Sequence, residues 1–469
     1  MLKLYNTLTK KKELFKPFQE GKVNIFVCGV TVYDSSHIGH ARSFAFYDAF
    51  VKYLRAMGLE VFYLQNITDI DDKIIKKAEE QKTTPEKIAL KYEKEYLAAM
   101  KMVRINAVSK YARATDYIKE IISQIKRLQD KKIAYKITDG IYFDIKKFGD
   151  YGKLSGRNAL QIDDAVSRID ETIGKKNRGD FCLWKFSKPG EPKWKSPWGN
   201  GRPGWHIEDT AIAEKYFGPQ YDMHGGGRDL IFPHHEAEIA QMESISGKSP
   251  MVKYWAHVGF LAVDGSKMSK SLNNFITIDD FVKSNGARLL RFFFLKAHYR
   301  SPIDYTQNNI AQTIKELEKI DDFVGKVKNI NSKVQAKVQD SKLIQNLISK
   351  SEKDFYKAMD DDMNTPSAIA AIFKLINQTN LLLDQNKISF GEAKDVLGFF
   401  KKIDKFLDFI LWQEKKLIIP EKIKELAKQR EQARKSGNWQ KSDELRKEVE
   451  HSGFRIEDTK LGPVIKKSA

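Results

Sequence analysis

The stretch VCGVTVYDSSHIGHAR, residues 27–42, decides how the first part of the chain folds. It joins an apolar run at 23–27 to an amphipathic segment at about 38–57, and a second apolar run, EVFYLQNIT, begins at Glu60. Apolar strands that alternate with helical patterns predict a parallel α/β unit of the nucleotide-binding kind. The cysteine and two histidines of the stretch are candidates for a metal site, for a phosphate site, or for polar positions without a ligand.

The pattern changes further along the chain. A helix and an Asp139-Gly140 hairpin signal indicate an insertion, after which strands and helices alternate again from about Phe181. Long segments with helical spacing then predict a bundle, and a small basic tail follows Pro420. We therefore predict an α/β fold in which a split Rossmann-like parallel-sheet catalytic domain carries an inserted connective domain and is followed by an α-helical bundle and a small C-terminal domain. The predicted segments are 1–115 and 181–263 for the two catalytic halves, 116–180 for the insertion, 264–315 for a loop region, 316–419 for the bundle and 420–469 for the tail.

Composition narrows the class of protein. The 469 residues include 81 Lys+Arg against 62 Asp+Glu, a formal charge of +19, which favours a polyanionic partner such as nucleic acid, although a lysine-rich proteome gives the same excess. Two cysteines, Cys28 and Cys182, cannot build a disulfide framework, which fits a reducing compartment. Without a secretory leader or a long apolar run, the sequence predicts a soluble cytoplasmic protein that has no membrane partner.

Two short motifs indicate nucleotide chemistry. In HIGH, His37 and His40 lie one turn apart at the start of a helix, beside backbone amides that favour bound phosphate, and Gly39 leaves room for an adenine ring against the backbone. In DGSKMSKS, residues 264–271, a flexible turn carries Lys267 and Lys270, which can close over a triphosphate and stabilise a pyrophosphate leaving group. Solvated residues on a first turn and on a loop remain the alternative for each motif taken alone.

A third group of residues suggests a metal. FPHHEAEIAQ places His234 and Glu238 at i and i+4 on one helix face, where they can reach one ion or form a surface hydrogen bond. Cys28 lies at the carboxyl end of the first strand, where open α/β sheets bind ligands, and the alternative is a buried core cysteine. Cys182 has no such neighbours and is interpreted as a packing residue.

The order of the motifs resembles the class I aminoacyl-tRNA synthetases, and within them the cysteinyl-tRNA synthetase family over nearly the whole length. The matching segments are CGVTVYDSSHIGHAR, GRPGWHIEDTA, HGGGRDLIFPHHEAEIAQ, KMSKSLNN, HYRSPIDYT, DDDMNTP and NWQKSDELRKEVEHSGFRIEDTKLGP. The resemblance implies activation of L-cysteine by ATP and transfer to the terminal adenosine of tRNA(Cys). It also implies a zinc ion that binds the substrate thiolate, with ligands at Cys28, position 209, His234 and Glu238.

The chain departs from this family pattern at position 209, where Asp209 replaces the usual cysteine. A carboxylate is also anionic and can bind zinc, so three negative ligands and one neutral histidine remain. The set is harder and less selective for zinc, but we expect it to keep a metal. The alternative is that Asp209 only interacts with the free amides and the dipole at the start of a helix.

The resemblance assigns further roles by position. The residues assigned to catalysis are His37, His40, Lys267 and Lys270. The residues assigned to ATP are His37, Gly39, His40, Asp229 and Lys270. The residues assigned to cysteine are Thr31, Thr68, Trp205 and His224, and those assigned to the anticodon are Arg434, Asp443 and Asp458. Mg²⁺ is expected with ATP, one Zn²⁺ is expected per subunit, and the enzyme is expected to be a monomer.

Two rival functions remain open at this level. A paralogous cysteine ligase makes the same adenylate and passes cysteine to a small amine, but it has no need of an anticodon-like tail. A non-catalytic RNA-binding protein on the same scaffold has no need of intact HIGH and KMSKS motifs.

Overall fold

The protein is described by a computed structural model that covers residues 1–157, 174–268, 272, 274–330, 341–412, 420–459 and 462–467. Its strands are β1 (Lys3–Asn6), β2 (Lys11–Leu14), β3 (Lys22–Thr31), β4 (Glu60–Thr68), β5 (Lys110–Arg113), β6 (Ala134–Lys136), β7 (Gly140–Phe143), β8 (Phe181–Phe186), β9 (Gly201–Pro203), β10 (Tyr221–Gly227), β11 (Val252–Val258), β12 (Leu261–Val263), β13 (Ser266–Lys267), β14 (Ile303–Tyr305), β15 (Phe454–Thr459) and β16 (Gly462–Lys467). Its helices are α1 (Ile38–Ala56), α2 (Asp72–Glu80), α3 (Pro85–Met102), α4 (Ile118–Asp130), α5 (Ile207–Phe217), α6 (Glu236–Ser246), α7 (Ile278–Asn285), α8 (Ala287–Leu295), α9 (Gln307–Lys328), α10 (Ser341–Asp360), α11 (Thr365–Asp384), α12 (Phe390–Leu407), α13 (Glu421–Lys435) and α14 (Trp439–His451).

The chain forms two compact units. The first comprises Met1–Thr313 and Gly325–Phe409, and the second comprises Ile314–Val324 and Ile410–Ala469. Within the described ranges, no helix has both the length and the apolar character that a bilayer crossing needs.

A five-stranded parallel sheet in the order β11-β10-β3-β4-β5 is the centre of the first unit. The order confirms the predicted Rossmann-like α/β fold, because the chain runs from β3 through β4 to β5 on one side and then returns to place β10 and β11 on the other. The apolar run at 23–27 lies inside β3, and the predicted amphipathic segment is α1. The His37 side chain caps α1 by accepting a hydrogen bond from the Gly39 amide, and the helix is buried on all sides over residues 44–51.

A four-stranded antiparallel sheet, β6-β7-β8-β9, lies between β5 and β10 in the chain. The predicted hairpin is present, because Asp139-Gly140 connects β6 to β7. The insertion predicted at 116–180 extends further, however, since β8 and β9 pair with this sheet as far as Pro203. The parallel sheet therefore resumes with α5 and β10, later than the predicted Phe181.

Helix α10 packs against both α11 and α12 in the first unit, and α12 packs on α1. A buried ion pair supports this arrangement, because Arg291 on α8 lies 2.7 Å from Asp48 on α1. The same guanidinium donates hydrogen bonds to the carbonyl oxygens of Phe406 and Leu407 at the end of α12.

The second unit has its own small core. Helices α13 and α14 pack together beside the antiparallel hairpin β15–β16, and the buried residues at their contact are Ile423, Leu426, Ala427, Leu445, Val449 and Ile456. The predicted tail at 420–469 lies within this unit, which also takes in residues 314–324 of α9.

Candidate active site

The crevice at the carboxyl ends of β3 and β10 is where this sheet topology places a ligand site. β3 and β10 are hydrogen-bonded neighbours, and the connections that leave them run to opposite sides of the sheet. Ligands of open α/β sheets bind at such a switch point. Cys28 near the end of β3 and His224 on β10 both lie there, with 5% and 0% of their surface exposed.

The structure brings together the four residues that the sequence predicts as metal ligands. The Cys28 Sγ atom lies 3.1 Å from Asp209 Oδ2 and 3.8 Å from Glu238 Oε1. The Nε2 atom of His234 lies 3.1 Å from Asp209 Oδ2 and 3.0 Å from Glu238 Oε1. All four side chains are buried, and one ligand atom from each lies within 4.8 Å of the others.

Helix starts position three of these residues. Asp209 lies in the first turn of α5, and Glu238 lies in the first turn of α6 after His234. A hydrogen bond joins the middle of α6 to the start of α5, because Gln241 Nε2 donates to the carbonyl oxygen of His206 at 2.9 Å. The packing of α5 against α6 therefore places the carboxylates of Asp209 and Glu238 next to the Cys28 sulfur.

The cluster carries more negative charge than its buried surroundings favour. Burial, and then the neighbouring carboxylates of Asp209 and Glu238, raise the pKa of the Cys28 thiol well above its ordinary value. Burial also raises the pKa of Glu238 to about 7, which the nearby His234 opposes. Burial lowers the pKa of His234, but the two carboxylates outweigh it and raise that pKa to about 10. A cation at this point relieves the repulsion among the anionic groups.

The donor set fits zinc. One thiolate sulfur, one imidazole nitrogen and two carboxylates are ligand types that zinc accepts in four-coordinate sites. Among the described residues Glu238 Oε2 has no hydrogen-bond partner, although His224 Nε2 lies 3.4 Å away, and a cation would satisfy this buried oxygen. Asp209 is oriented for this role, because Asn66 Nδ2 donates a 2.6 Å hydrogen bond to Asp209 Oδ1 and leaves Oδ2 toward Cys28.

His235 belongs to the same cluster and is missed by the sequence analysis. Its Nε2 atom lies 3.1 Å from Cys28 Sγ, and the Nε2 atom of His224 lies 3.2 Å from the same sulfur. Together with Glu238 these residues form a second possible ligand set that shares Cys28 with the first. The only indication of His235 in the sequence is that it directly follows the predicted ligand His234 in FPHHE.

The residues assigned to cysteine surround this cluster. Thr31 and Thr68 are paired in register at the ends of β3 and β4, and the Thr68 hydroxyl is hydrogen-bonded to the buried carboxylate of Glu208. Trp205 stacks on His234, with ring centroids 4.5 Å apart, and keeps 40% of its surface exposed. The indole therefore forms an outer wall of the crevice.

The two HIGH histidines stack on each other at the start of α1, with ring centroids 3.7 Å apart. Burial lowers the pKa of His37 to about 4, and burial together with His37 lowers the pKa of His40 well below its ordinary value. Both rings are therefore neutral near pH 7. A Cβ on Gly39 would lie 2.9 Å from the His37 ring and 3.4 Å from Met268 Cε, so the HIGH motif and the DGSKMSKS loop are neighbours here.

Two further residues assigned to the nucleotide lie on the surface. Lys267 is exposed on β13, and Asp229 is exposed in the turn after β10. Lys270, the second lysine of the loop, lies outside the described residues.

The three residues assigned to the anticodon lie in the second unit. Arg434 and Asp458 are 2.5 Å apart, and Arg430 holds both oxygens of the same Asp458 carboxylate. Asp443 is exposed on α14. Two of the three side chains thus have a structural partner, and both keep 33% of their side-chain surface exposed.

Comparisons with known proteins agree with this geometry. The family model of the tRNA synthetases class I (C) catalytic domain matches residues 14–315, and that of the DALR domain matches residues 354–411. The first covers the parallel sheet, the insertion and the cluster around Cys28.

Curated relatives match along the whole chain. The cysteine–tRNA ligase of Thermococcus onnurineus is 42% identical over 477 residues, covering 99% of this chain and 99% of the relative. That of Methanococcus maripaludis is 43% identical over 477 residues, with 100% and 99% covered. That of Thermoplasma volcanium is 44% identical over 457 residues, with 97% of each covered.

Solved structures share the fold. A methionyl-tRNA synthetase of Mycobacterium tuberculosis in complex with methionyl-adenylate superimposes with a TM-score of 0.60 at 14% identity, covering 82% of this chain and 88% of that one. A ternary complex of an Agrobacterium radiobacter LeuRS gives a TM-score of 0.62 at 11% identity, with 84% and 85% covered.

Proposed function

Since this chain belongs to the family of cysteine–tRNA ligases, we propose that it selects cysteine through a zinc ion held by Cys28, Asp209, His234 and Glu238. Its activity is that of the family: it activates L-cysteine with ATP to cysteinyl-adenylate and pyrophosphate, and it transfers the cysteinyl group to the 3′-terminal adenosine of tRNA(Cys). The zinc proposal is carried by the buried convergence of four donors of the right types at the carboxyl end of β3.

The small binding energy that separates cysteine from serine explains why a metal is useful here. A pocket that separates cysteine from serine by size alone gains about 1–3 kcal/mol, which is too little for accurate translation. Bound zinc supplies a Lewis-acidic site that binds a thiolate well and a neutral hydroxyl poorly. Selection by coordination then replaces a separate editing step.

The protein residues around the cluster hold the rest of the amino acid. Thr31 and Thr68 offer hydroxyl groups at the strand ends, and Trp205 closes the outer side of the crevice. His224 fixes the inner side, because its Nδ1 atom is hydrogen-bonded to the Tyr221 hydroxyl at 2.6 Å. In this arrangement the carboxylate of cysteine is directed toward the start of α1.

The adenylate-forming step requires positioning and charge stabilisation more than a protein nucleophile. We assign ATP binding to His37, Gly39 and His40 at the amino terminus of α1, where neutral imidazoles and the positive end of the helix dipole suit a phosphate chain. Asp229 lies near the ribose in this assignment. Lys267 and Lys270 stabilise the leaving pyrophosphate, and Mg²⁺ accompanies the nucleotide.

The second unit is assigned to the tRNA anticodon. Arg434, Asp443 and Asp458 are the residues we assign to base contacts, and the ion pair between Arg434 and Asp458 opens or is shared when a base binds. We assign residues 264–315 to contact with the tRNA stem, and we take the connective insertion to run from residue 116 to Pro203, the end of β9. The enzyme is proposed to act as a monomer, because all assigned residues come from one chain.

Metal analysis with variants at position 209 tests the zinc site. The purified full chain is expected to carry about one zinc per chain, and Asp209→Cys is expected to keep it with stronger preference for zinc over Mn²⁺. Asp209→Asn keeps the size of the side chain but removes one anionic ligand, so zinc affinity falls by about 10- to 100-fold.

Cysteine-dependent ATP–pyrophosphate exchange is measured on the same proteins, with serine as competitor. Loss of zinc from Asp209→Asn is expected to bring loss of discrimination against serine. A wild-type chain that discriminates fully after complete removal of metal would refute the proposal.

A further inference from the structure

The Cys28 sulfur has a second set of neighbours that the zinc proposal does not use. On the side away from Asp209, the Nε2 atoms of His224 and His235 lie 3.2 and 3.1 Å from the sulfur. Both rings are fully buried. Their outer nitrogens are also engaged, so each imidazole has a partner at both ends.

The partner of His235 begins a chain that leads to the amino-terminal segment. His235 Nδ1 lies 2.7 Å from His257 Nε2, and His257 Nδ1 lies 2.8 Å from the Thr7 hydroxyl. The Thr7 amide donates to the carbonyl oxygen of Trp255 at 2.8 Å, which holds Thr7 against β11. Burial lowers the pKa of His257 to about 3, so this ring is neutral.

Counting protons fixes the direction of the hydrogen bonds. A thiol has one proton, and Cys28 has a carboxylate oxygen of Asp209 at 3.1 Å that takes it in preference to an imidazole. The sulfur therefore has no proton left for His224 or His235, and as a thiolate it has none at all. His235 must then present Nε2–H to the sulfur, while the Nε2–H of His224 can point to the sulfur or to Glu238 Oε2, 3.4 Å away.

This direction is consistent along the whole chain. His235 with Nε2–H has a bare Nδ1 that accepts from His257 Nε2–H, and the bare Nδ1 of His257 accepts from the Thr7 hydroxyl. For His224 the bare Nδ1 accepts from the Tyr221 hydroxyl. No atom of this network is left with a repulsive contact.

We infer that Thr7 and His257 form a hydrogen-bond relay that fixes His235 with its Nε2–H on the Cys28 sulfur, which makes His257 a positioning residue for the metal site. The inference rests on the proposed function, because the sulfur it positions is a proposed zinc ligand. Hydrogen bonds to a ligating sulfur orient it and moderate its electron donation.

The histidine tautomers test the relay with and without metal. The full chain has nine histidines, so ¹⁵N-histidine labelling and NMR of the metal-free and zinc-loaded protein can assign them with single variants. The relay predicts Nε2–H tautomers for His235 and His257 in both states. An Nδ1–H tautomer of His235 overturns it and identifies His235 as a ligand of the second set instead.

Variants of His257 test the consequence. His257→Leu removes the donor to His235, and zinc affinity, measured by competition with a chelator, is expected to fall by about 10- to 100-fold. In the cobalt-substituted protein the thiolate charge-transfer band is expected to move to longer wavelength, since the sulfur accepts a weaker hydrogen bond. His257→Gln, which keeps an N–H donor, is expected to restore part of both.

A control on the same strand separates positioning from general damage. Tyr254→Phe removes a 2.8 Å hydrogen bond from β11 to the Leu14 carbonyl oxygen, away from the cluster, and is expected to leave metal affinity and spectrum unchanged. A folded His257→Leu with the wild-type spectrum and affinity contradicts the relay. A wild-type chain that binds no metal contradicts the proposed function, while the tautomers of the metal-free protein still decide the relay.

Discussion

Asn66 is the residue that sets the orientation of Asp209. Its Oδ1 atom accepts a 2.6 Å hydrogen bond from the Gly29 amide, and its Nδ2 atom donates to Asp209 Oδ1. The bond from Gly29 fixes which end of the amide faces Asp209. Because Asn66 is 3% exposed, no water replaces it without rearrangement.

The first residue-scale prediction concerns this amide. Asn66→Leu keeps the approximate size and removes both hydrogen bonds, so Asp209 loses its fixed orientation and zinc affinity is expected to fall by about 10-fold. Competition with a chelator measures it. Thermal unfolding of the metal-free variant serves as the control for damage to the sheet, and an unchanged affinity would show that Asp209 needs no orienting partner.

The second residue-scale prediction concerns pH. Burial lowers the pKa of His37 to about 4, so between about pH 4 and 6.5 the unfolded chain binds a proton that the folded chain does not. Stability therefore falls as the pH is lowered through this window. His37→Asn keeps a capping acceptor without the titration, and its free energy of unfolding is expected to fall less steeply, by up to about 1.4 kcal/mol per pH unit.

Urea unfolding at pH 6.5, 5.5 and 4.5 gives the two slopes. Parallel lines for wild type and variant would mean that His37 is protonated equally in the folded and unfolded chains.

The set of four predicted ligands came from the resemblance to the family, while local features, a strand end and a helix face, pointed only to Cys28, His234 and Glu238. Sequence reasoning missed His235, although the doubled histidine was visible, because adjacent residues of a helix point about 100° apart and only His234 matched a family ligand. The two neighbouring rings contact different residues: His234 is hydrogen-bonded to Asp209, and His235 is hydrogen-bonded to His257. Which side of a helix start faces a site depends on packing that the local pattern does not contain.

At the scale of elements, the buried pair of Arg291 and Asp48 joins three helices. Asp48 also accepts 2.8 Å hydrogen bonds from the amides of Asn106 and Ala107, and both members of the pair are almost completely buried. The contact connects α1, which carries the HIGH motif at its start, to α8 and to the end of α12.

Breaking this pair is expected to be costly. Asp48→Ala leaves the Arg291 guanidinium buried without its anion, and the free energy of unfolding is expected to fall by about 3–5 kcal/mol. The double variant Asp48→Ala with Arg291→Met removes both charges and is expected to be more stable than Asp48→Ala alone. Urea unfolding of the wild type, the single variant and the double variant checks this order. Equal losses of unfolding free energy in the two variants would show that the unpaired charge of Arg291 has no separate effect.

Element boundaries show another limit of sequence reasoning. The strands around Phe181 were recognisable as strands, but their partners were not. An apolar strand can join either sheet. β8 pairs with β7 of the insertion, and this choice depends on contacts between residues far apart in the sequence. Similarly, the ion pair between Arg434 and Asp458 could not be predicted, because the two residues are far apart in the sequence.

At the scale of the whole molecule, the formal charge of +19 favours tRNA over any neutral substrate. Binding that neutralises phosphates weakens steeply with salt. The KM for tRNA is expected to rise by at least about 10-fold between 50 and 200 mM KCl, while cysteine-dependent ATP–pyrophosphate exchange changes by less than about 3-fold. Aminoacylation and exchange assays on the same preparation measure the two salt dependences. If salt affected exchange as strongly as the KM for tRNA, the effect would lie in the catalytic site instead.

The position of the insertion also has a consequence for synthesis on the ribosome. Cys28 precedes its partner Asp209 by 181 residues and Glu238 by 210 residues. At about 5–20 residues per second, the Cys28 thiol leaves the exit tunnel roughly 10 to 40 seconds before Glu238 does. Loading of the proposed zinc is therefore expected late in biogenesis, and a nascent chain arrested within the insertion exposes Cys28 before Asp209, His234 and Glu238 have been synthesised.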